Sequence, residues 1–186
     1  MTNNPINQPA LYMGIDGGGS KCKACIVDVN NKVLGTGIAG PANAFIDQQQ
    51  SIHSIINSAK LALVDANLAE SDITRLTAGI GLAGVNLPSI YEEMSKWKHP
   101  FAKMFLTTDL HIACLGAHQG KDGAIIISGT GSCGYSFVDG KQVIIGGHGF
   151  PHGDKGSGAW LGLKGVKTVL LSLEGMAIKS KMNQNM

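Results

Sequence analysis

A strand, a glycine turn and a two-strand meander occur twice in this sequence. The first copy is Met13-Gly-Ile-Asp-Gly-Gly-Gly-Ser-Lys21, followed by Ala24-Cys-Ile-Val-Asp28, a short turn and Lys32-Val-Leu-Gly35. The second is Ala124-Ile-Ile-Ile-Ser-Gly-Thr-Gly-Ser-Cys-Gly134, then Tyr135-Ser-Phe-Val-Asp139, Gly140 and Lys141-Gln-Val-Ile-Ile-Gly146. Short apolar runs bounded by turn residues are strand-like. Their recurrence points to a duplicated domain. Glycine has no Cβ, so the backbone N–H groups around it are uncrowded, and consecutive amides in such a turn make a concave site for phosphate oxygens. Gly17, Gly18, Gly19, Ser20 and Lys21 form one candidate site, and Gly129, Thr130 and Gly131 the other. Thr130 and Ser132 add hydroxyl donors. Two such turns facing each other would grip a polyphosphate from both sides.

The intervening sequence alternates helix and strand patterns. Strands are expected at Tyr12–Asp16, Cys22–Asp28 and Lys32–Ile38, with Asn30-Asn31 as a turn. Ile52, Ile55, Ile56, Ala59, Leu63 and Ala66 recur at helical spacing over 48–66, with Asp47 as cap and Gln50 as its capping-box partner. A strand over Leu76–Leu82 follows. Pro88 then starts a helix with Ile90, Met94 and Trp97 on its apolar side. A strand over Lys103–Thr107 leads to Asp109 and a short helix through Gly116. The order βββαβαβα describes a ribonuclease-H-like mixed sheet of the α/β class. The second copy gives three strands from Gly123 to about Ile145, a glycine-rich segment from Gly146 to Gly158, and an apolar helix containing Trp160, Leu161, Val166, Val169, Leu170 and Leu173.

Composition narrows the function. The 186 residues are 44% hydrophobic and 15% charged, with 26 glycines and a net charge of +2. Neither nucleic acid nor a membrane surface is favoured by so small a charge. No apolar run reaches the ~20 residues that span a bilayer, and Met1–Ala10 lacks the pattern of a secretory signal. A cytoplasmic location is expected. Cys22, Cys25, Cys114 and Cys133 are expected to be reduced thiols. Cys22 and Cys25 fall on opposite faces of a strand, and no second pair completes a zinc site.

Several polar residues stand where chemistry is done. Asp16 ends a strand at the first glycine turn, either holding Mg²⁺ beside phosphates or bonding its own turn. Asp109 ends an apolar strand and opens a helix. It is either a helix cap or a carboxylate, kept ionised by the helix N-terminus, that orients a hydroxyl and accepts its proton. Gly146-Gly-His-Gly-Phe-Pro-His-Gly-Asp-Lys-Gly-Ser-Gly158 reads as a shaped binding loop. Asp154 is a candidate acceptor for sugar hydroxyls or an amine, or a cap for the helix of Trp160. His148 and His152 are four apart, but Gly149 and Pro151 forbid the helix that a metal pair would need. Residues 129–134 match G-x-G-x-x-G, yet a strand follows where a dinucleotide site requires a helix. His53, His99, His111 and His118 read as surface or packing residues.

Gly14-Ile-Asp-Gly-Gly-Gly-Ser20, Thr107-Thr-Asp109, Ser128-Gly-Thr-Gly-Ser132 and Gly153-Asp-Lys-Gly-Ser-Gly158 together resemble the BadF/BadG/BcrA/BcrD-type ATPase family, which includes the N-acetylglucosamine kinases. The resemblance runs from about Tyr12 to Leu173. It implies the actin and hexokinase (ASKHA) fold and ATP-dependent phosphorylation of the 6-hydroxyl of an amino sugar, glucosamine first and N-acetylglucosamine as the alternative. Asp109 would be the base and Asp16 the metal-side carboxylate for Mg²⁺. Ser20 and Thr130 would meet ATP phosphates. Sugar contacts would come from Asn43, Ser132, Cys133, Gly147, His148, Gly149, Phe150, Asp109 and Asp154. Lys155 stands where the similar N-acetylglucosamine kinases have Glu, which favours free glucosamine.

These readings divide the chain into a flexible tail at 1–11, a first lobe at 12–120, the start of a second lobe at 121–175, and a polar tail at 176–186. Members of the family continue through a second full lobe with the adenine pocket, so the chain reads as a shortened kinase. It is expected to phosphorylate sugar poorly or not at all, with the apolar face of its second meander open. The expected partner is a small-molecule amino sugar, and a homodimer is allowed. Two other functions compete: a BadF-type activator ATPase and a non-catalytic sugar-binding module.

Overall fold

The computed structural model describes residues 10–179 and 181–184. The chain divides into two compact units between Ala113 and Cys114. Of the expected N-terminal tail, residues 1–9 lie outside the described residues, while Leu11 already belongs to a strand. In the polar C-terminal stretch, 180, 185 and 186 lie outside them, and Lys181–Gln184 form one 3-10 turn.

The first unit contains β1 (Leu11–Gly17), β2 (Cys22–Val27), β3 (Val33–Ala39), α1 (Gln48–Asp65), β4 (Leu76–Leu82), α2 (Pro88–Ser95) and β5 (Lys103–Thr108), and it enters α3 (Asp109–Ala117). The sheet order is β3-β2-β1-β4-β5. The first three strands form an antiparallel meander, and β4 and β5 run parallel to β1. This is the ribonuclease-H-like arrangement that the alternation of elements predicts. In β1, Leu11, Met13 and Ile15 are buried while Tyr12, Gly14 and Asp16 are exposed, the period of two that a strand imposes. The inward residues join Ala24, Ile26, Ala78, Ile80, Ile55, Leu63 and Met94 in one continuous core.

How α1 meets this sheet differs from expectation. Its buried residues are Ser51, Ser54, Ile55, Ser58, Ala59, Ala62 and Leu63, whereas Ile52 and Ala66 are only partly buried. The cause lies in β3. A Cβ on Gly37 would run into the Ser58 carbonyl and Ala62 amide, and one on Gly35 would come within 2.5 Å of the Ala62 carbonyl and Ala66 amide. The helix backbone rests directly on the strand, so only small side chains fit between them. The serine hydroxyls are satisfied, Ser51 on Asp47 O at 2.7 Å, Ser54 on Pro41 O at 2.8 Å and Ser58 on Ile55 O at 3.0 Å, so their burial leaves no unmade hydrogen bond. Asp47 caps the helix by accepting the Gln50 N–H at 2.9 Å. The reciprocal half of the capping box is not formed. Gln50 Nε2 bonds Ser54 Oγ instead, and the Asp47 N–H is taken by Asn43 O. Pro88 opens α2 as expected, with Met94 buried.

The second unit is an antiparallel meander of β6 (Gly123–Ser128), β7 (Ser132–Val138) and β8 (Lys141–Gly146), followed by α4 (Gly158–Leu173). Asp139 and Gly140, at φ +51 and +71, form the two-residue turn between β7 and β8. That is the hairpin that Asp-Gly favours. Among its described apolar residues only Cys114, Tyr135 and Val169 are buried. Ile126 is 86% exposed, Ile145 73% and Leu173 70%, so the meander's apolar surface is open as expected. Among the described residues no helix is long and apolar enough to cross a membrane.

Candidate functional site

At the end of β1 the glycines do different jobs. A Cβ on Gly17 would lie 2.6 Å from Leu82 Cδ1 and 3.2 Å from Ala42 Cβ, so Gly17 is a packing residue. The Gly18 N–H donates to Lys21 O at 2.9 Å. That amide is spent inside the turn and leaves the expected phosphate-facing set. Beyond Gly19 nothing lies within 4 Å of an added Cβ, and Ser20 and Lys21 are exposed. Gly17, Gly18 and Gly19 all avoid positive φ. At Gly19 the missing side chain therefore provides room, not a left-handed backbone.

Two carboxylates stand near this turn. Asp16 is level with Gly81 on β4, which is level with Thr107 on β5. Ile112 of α3 lies over Gly81, where any Cβ would collide with it. Asp109 begins α3 but does not cap it. Thr108 Oγ1 accepts the His111 N–H at 3.2 Å, while Asp109 Oδ1 accepts the Leu110 N–H at 2.9 Å. Burial pushes the Asp109 carboxyl above the usual carboxylate range. The Leu110 N–H pulls it back, and the nearby negative charge of Asp16 adds to the upward shift. The expectation that the helix N-terminus would dominate is therefore corrected, because desolvation outweighs it. A raised carboxyl is a better proton acceptor once ionised. Asp16, with Gly14, Lys23, Cys25, Gly79 and Ile112, lines a cavity of about 260 Å³.

Asn43 is fixed against the end of β4. It bridges Ala83, its Oδ1 accepts the Phe45 N–H at 3.1 Å, and its carbonyl accepts the N–H groups of Ile46 and Asp47. Gly84, at φ +84, must be glycine here because a Cβ would strike Asn43 Oδ1.

In the second unit the 128–132 turn meets the glycine-rich loop. The Gly129 N–H donates to Gly131 O at 2.9 Å, so this amide too is internal and not available to a phosphate. Thr130 is exposed, and Gly129 has open space where its Cβ would be. Five residues of the loop have positive φ: Gly146, Gly147, Gly149, Asp154 and Gly156. Asp154 does not cap α4. Buried Ser157 does, accepting the Trp160 N–H at 3.2 Å. The Asp154 carboxylate instead lies against Gly131, where a Cβ would be 2.6 Å from Oδ2. A cavity of about 770 Å³ is bounded by Ser132, Cys133, His148 and Asp154 from the expected sugar set, by Lys155, which the sequence marked as bearing on sugar choice, and by Ser128, Ile126, Ile145 and Gly156, which were not among the expected contacts. Gly147, Gly149 and Phe150 shape the loop without lining that cavity.

The remaining candidates are structural. Cys22 is buried against Ser58 Oγ at 3.4 Å, and burial pushes its thiol up. Cys114 donates to Gly123 O at 3.4 Å, and none of the four cysteines forms a disulfide. His118 packs on Gly123 and bonds Ala124 O at 2.9 Å. His148 and His152 sit in a loop without helix. Among the described residues there is no group of three or more His, Cys, Asp or Glu that could hold a metal. Gly134 lies inside β7, and a strand occupies the place where a dinucleotide site needs a helix. Of the residues missed, Ser157 carried a readable signal, a serine just before an apolar helix. Ser128 carried none, since its role depends on a segment 28 residues away.

Known proteins resemble the chain over nearly all of it. The model of the BadF/BadG/BcrA/BcrD ATPase family matches residues 13–186. A glucosamine kinase of Vibrio cholerae is 39% identical over 165 residues, 89% of this chain and 56% of that protein. An N-acetylmuramic acid/N-acetylglucosamine kinase of Clostridium acetobutylicum is 32% identical over 167 residues, 87% of this chain and 54% of that one. The chain thus spans about half the length of these curated relatives. The crystal structure of a Chromobacterium violaceum protein, provisionally assigned as an N-acetylglucosamine kinase, aligns with TM-score 0.84 and 29% identity over 95% of this chain and 62% of that one.

Proposed function

Since the chain belongs to the BadF/BadG/BcrA/BcrD ATPase family, we propose that it is part of an amino-sugar kinase that transfers the γ-phosphoryl group of ATP to the 6-hydroxyl of glucosamine. The observation that carries the reading is Asp109. It is a half-buried carboxylate with a raised proton affinity, beside Asp16 and close to a glycine turn with open space. In phosphoryl transfer the bond to the leaving oxygen is largely broken before the acceptor loses its proton, so the protein contributes positioning and charge. Asp109 Oδ2 aims the sugar hydroxyl and receives its proton late. In the first unit we assign the NH₂ end of Asn43 to a sugar hydroxyl; in the second, the carboxylate of Asp154 is the acceptor we assign to hydroxyls or an amine.

We assign the N–H groups of Gly19 and Ser20 and the Ser20 hydroxyl in the first unit to phosphate oxygens and, in the second unit taken by itself, the N–H groups of Thr130 and Gly131 and the Thr130 hydroxyl. Asp16 is exposed and has a second carboxylate nearby. That suits Mg²⁺, which keeps most of its waters and takes one or two carboxylates. Bound there, it would offset the charge of the phosphates. ATP and phosphosugars are cytoplasmic metabolites, and we place the protein in that compartment.

The test is sugar-dependent ADP release, with glucosamine, N-acetylglucosamine and glucose as acceptors, by the 186-residue chain and by any longer product of the same gene. Turnover with an amino sugar well above that with glucose or no sugar supports the reading. Sugar-independent ATP hydrolysis overturns it in favour of an activator ATPase. Sugar binding without nucleotide binding overturns it in favour of a binding module.

A further inference from the structure

The second glycine turn and the glycine-rich loop are joined at both ends. Ser128 Oγ, at the start of the turn, donates to Gly156 O at 3.2 Å. Ser132 Oγ, at its end, donates to Lys155 O at 2.9 Å. Between them the backbone is tied as well, with the Gly158 N–H on Gly129 O at 2.8 Å and the Ala159 N–H on Thr130 O at 3.4 Å. The Asp154 carboxylate fills the space that Gly131 leaves empty. Asp154 itself is held at φ +55, and its carbonyl accepts the Ser157 N–H at 3.0 Å. A left-handed aspartate is tolerated, but it persists only where its surroundings fix it.

From these contacts the geometry points to Ser128 and Ser132 as positioning residues that make the turn and the loop one mechanical piece. An anion seated on the turn and a sugar seated against Asp154 then bind cooperatively. This rests on the kinase reading above, because that reading places phosphate on the turn and sugar on the loop. Both serines border the cavity, but their hydroxyls are spent on the loop backbone. They hold the carbonyls of residues 155 and 156, which set the direction of Asp154. A shift of the turn moves that carboxylate, and a sugar that fixes the carboxylate fixes the turn. Coupling of this kind is reciprocal, and it typically changes affinity by about 5- to 150-fold.

Two measurements on the 186-residue chain test this. The first needs no ligand: hydrogen exchange at the amides of 153–158, in the wild type, Ser128→Ala and Ser132→Ala. The expected result is about tenfold faster exchange in each variant, with α1 amides unchanged and with protection restored in Ser128→Thr and Ser132→Thr, which keep the hydroxyl. Unchanged exchange in both alanine variants overturns the proposal. The second is calorimetry of glucosamine with and without magnesium tripolyphosphate. The wild type is expected to bind the sugar about tenfold more tightly with tripolyphosphate present. That gain should vanish in both alanine variants, while in Ser128→Ala tripolyphosphate affinity alone stays within about threefold, a separation that a merely structural loss would not produce. Gly131→Ala keeps both hydroxyls but displaces Asp154, so it must also lose the gain. A gain that survives in all three variants overturns the proposal even if the alanine proteins are less stable. A wild type that binds no sugar refutes the kinase reading alone, because the ligand-free exchange result still decides the mechanical one.

Discussion

The two units are renderings of one pattern, and they handle burial in opposite ways. In the first, β1, β2 and β3 press Leu11, Met13, Ile15, Ala24 and Ile26 against α1, β4 is added in parallel, and a continuous core results. In the second, β6, β7 and β8 form the same meander, but Ile126, Val143 and Ile145 remain exposed and little besides Tyr135 and Val169 is buried. Glycine also differs between them. In β3 it admits a helix backbone, while in the loop of the second unit it sets chain direction through positive φ. The first unit is a platform stabilised by packing. The second is an open surface shaped by hydrogen bonds around a turn. A repeated local pattern therefore fixes topology but not stability, which depends on how much apolar area each copy removes from water.

Four experiments would break or sharpen this contrast. The largest effect is expected from Asp109→Asn, in whichever length of the chain transfers phosphate. Loss of the proton acceptor should lower kcat by about 10²- to 10⁴-fold, as read by coupled ADP release, and near-normal turnover would move the chemistry away from the first unit. The same substitution has a stability consequence of defined sign. A carboxyl raised in the folded state contributes its stability below the unfolded pKa and loses it as pH rises through the folded value. Asp109→Asn should therefore raise the urea midpoint of the first unit at pH 7 and leave it unchanged near pH 3.

Next is Gly37→Ala, which puts a methyl into the backbone of α1. A loss of about 3 kcal/mol from the first unit is expected, at the upper end for overpacking. Gly134→Ala in the second unit meets nothing closer than 3.7 Å and should be nearly silent. The third experiment uses the two tryptophans, one per unit, Trp97 and Trp160. Urea unfolding followed by fluorescence in Trp97→Phe and Trp160→Phe variants should give two midpoints, with the Trp160 transition lower. Coincident curves would mean the units unfold as one. The smallest effect is expected at Gly19→Ala, where open space surrounds the new methyl. Stability should stay within about 0.5 kcal/mol while tripolyphosphate binding weakens by a few-fold.

Much of the fold was legible because period-two and helical spacing are local properties. The strands from Leu11 to Gly146 and the βββαβαβα order follow from them. The face of α1 was legible only in part: Ile55, Ala59 and Leu63 are buried as expected, but Ser51, Ser54 and Ser58 look polar until Gly35 and Gly37 are seen beneath them. The site was readable in its residue types and less so in its bonds. Asp16, Asp109 and Asp154 stand at plausible places, and Thr108 and Ser157 do the capping that was the alternative reading of Asp109 and Asp154. The amides of Gly18 and Gly129 point to their own turns, a choice set by three-dimensional closure that glycine spacing cannot express. The raised carboxyl of Asp109 likewise comes first from burial, which its position between a strand and a helix does not reveal.

The burial of Cys22 and Cys114 leaves Cys25 and Cys133 as the partly accessible thiols, one in each unit. Thiol reagents act on the exposed thiolate, so brief treatment with a maleimide should label these two and spare the others. A donor and acceptor dye placed in this way would turn the native sequence into a molecular ruler. Separation between the two halves could then be followed in solution, one molecule at a time, as sugar and nucleotide are added.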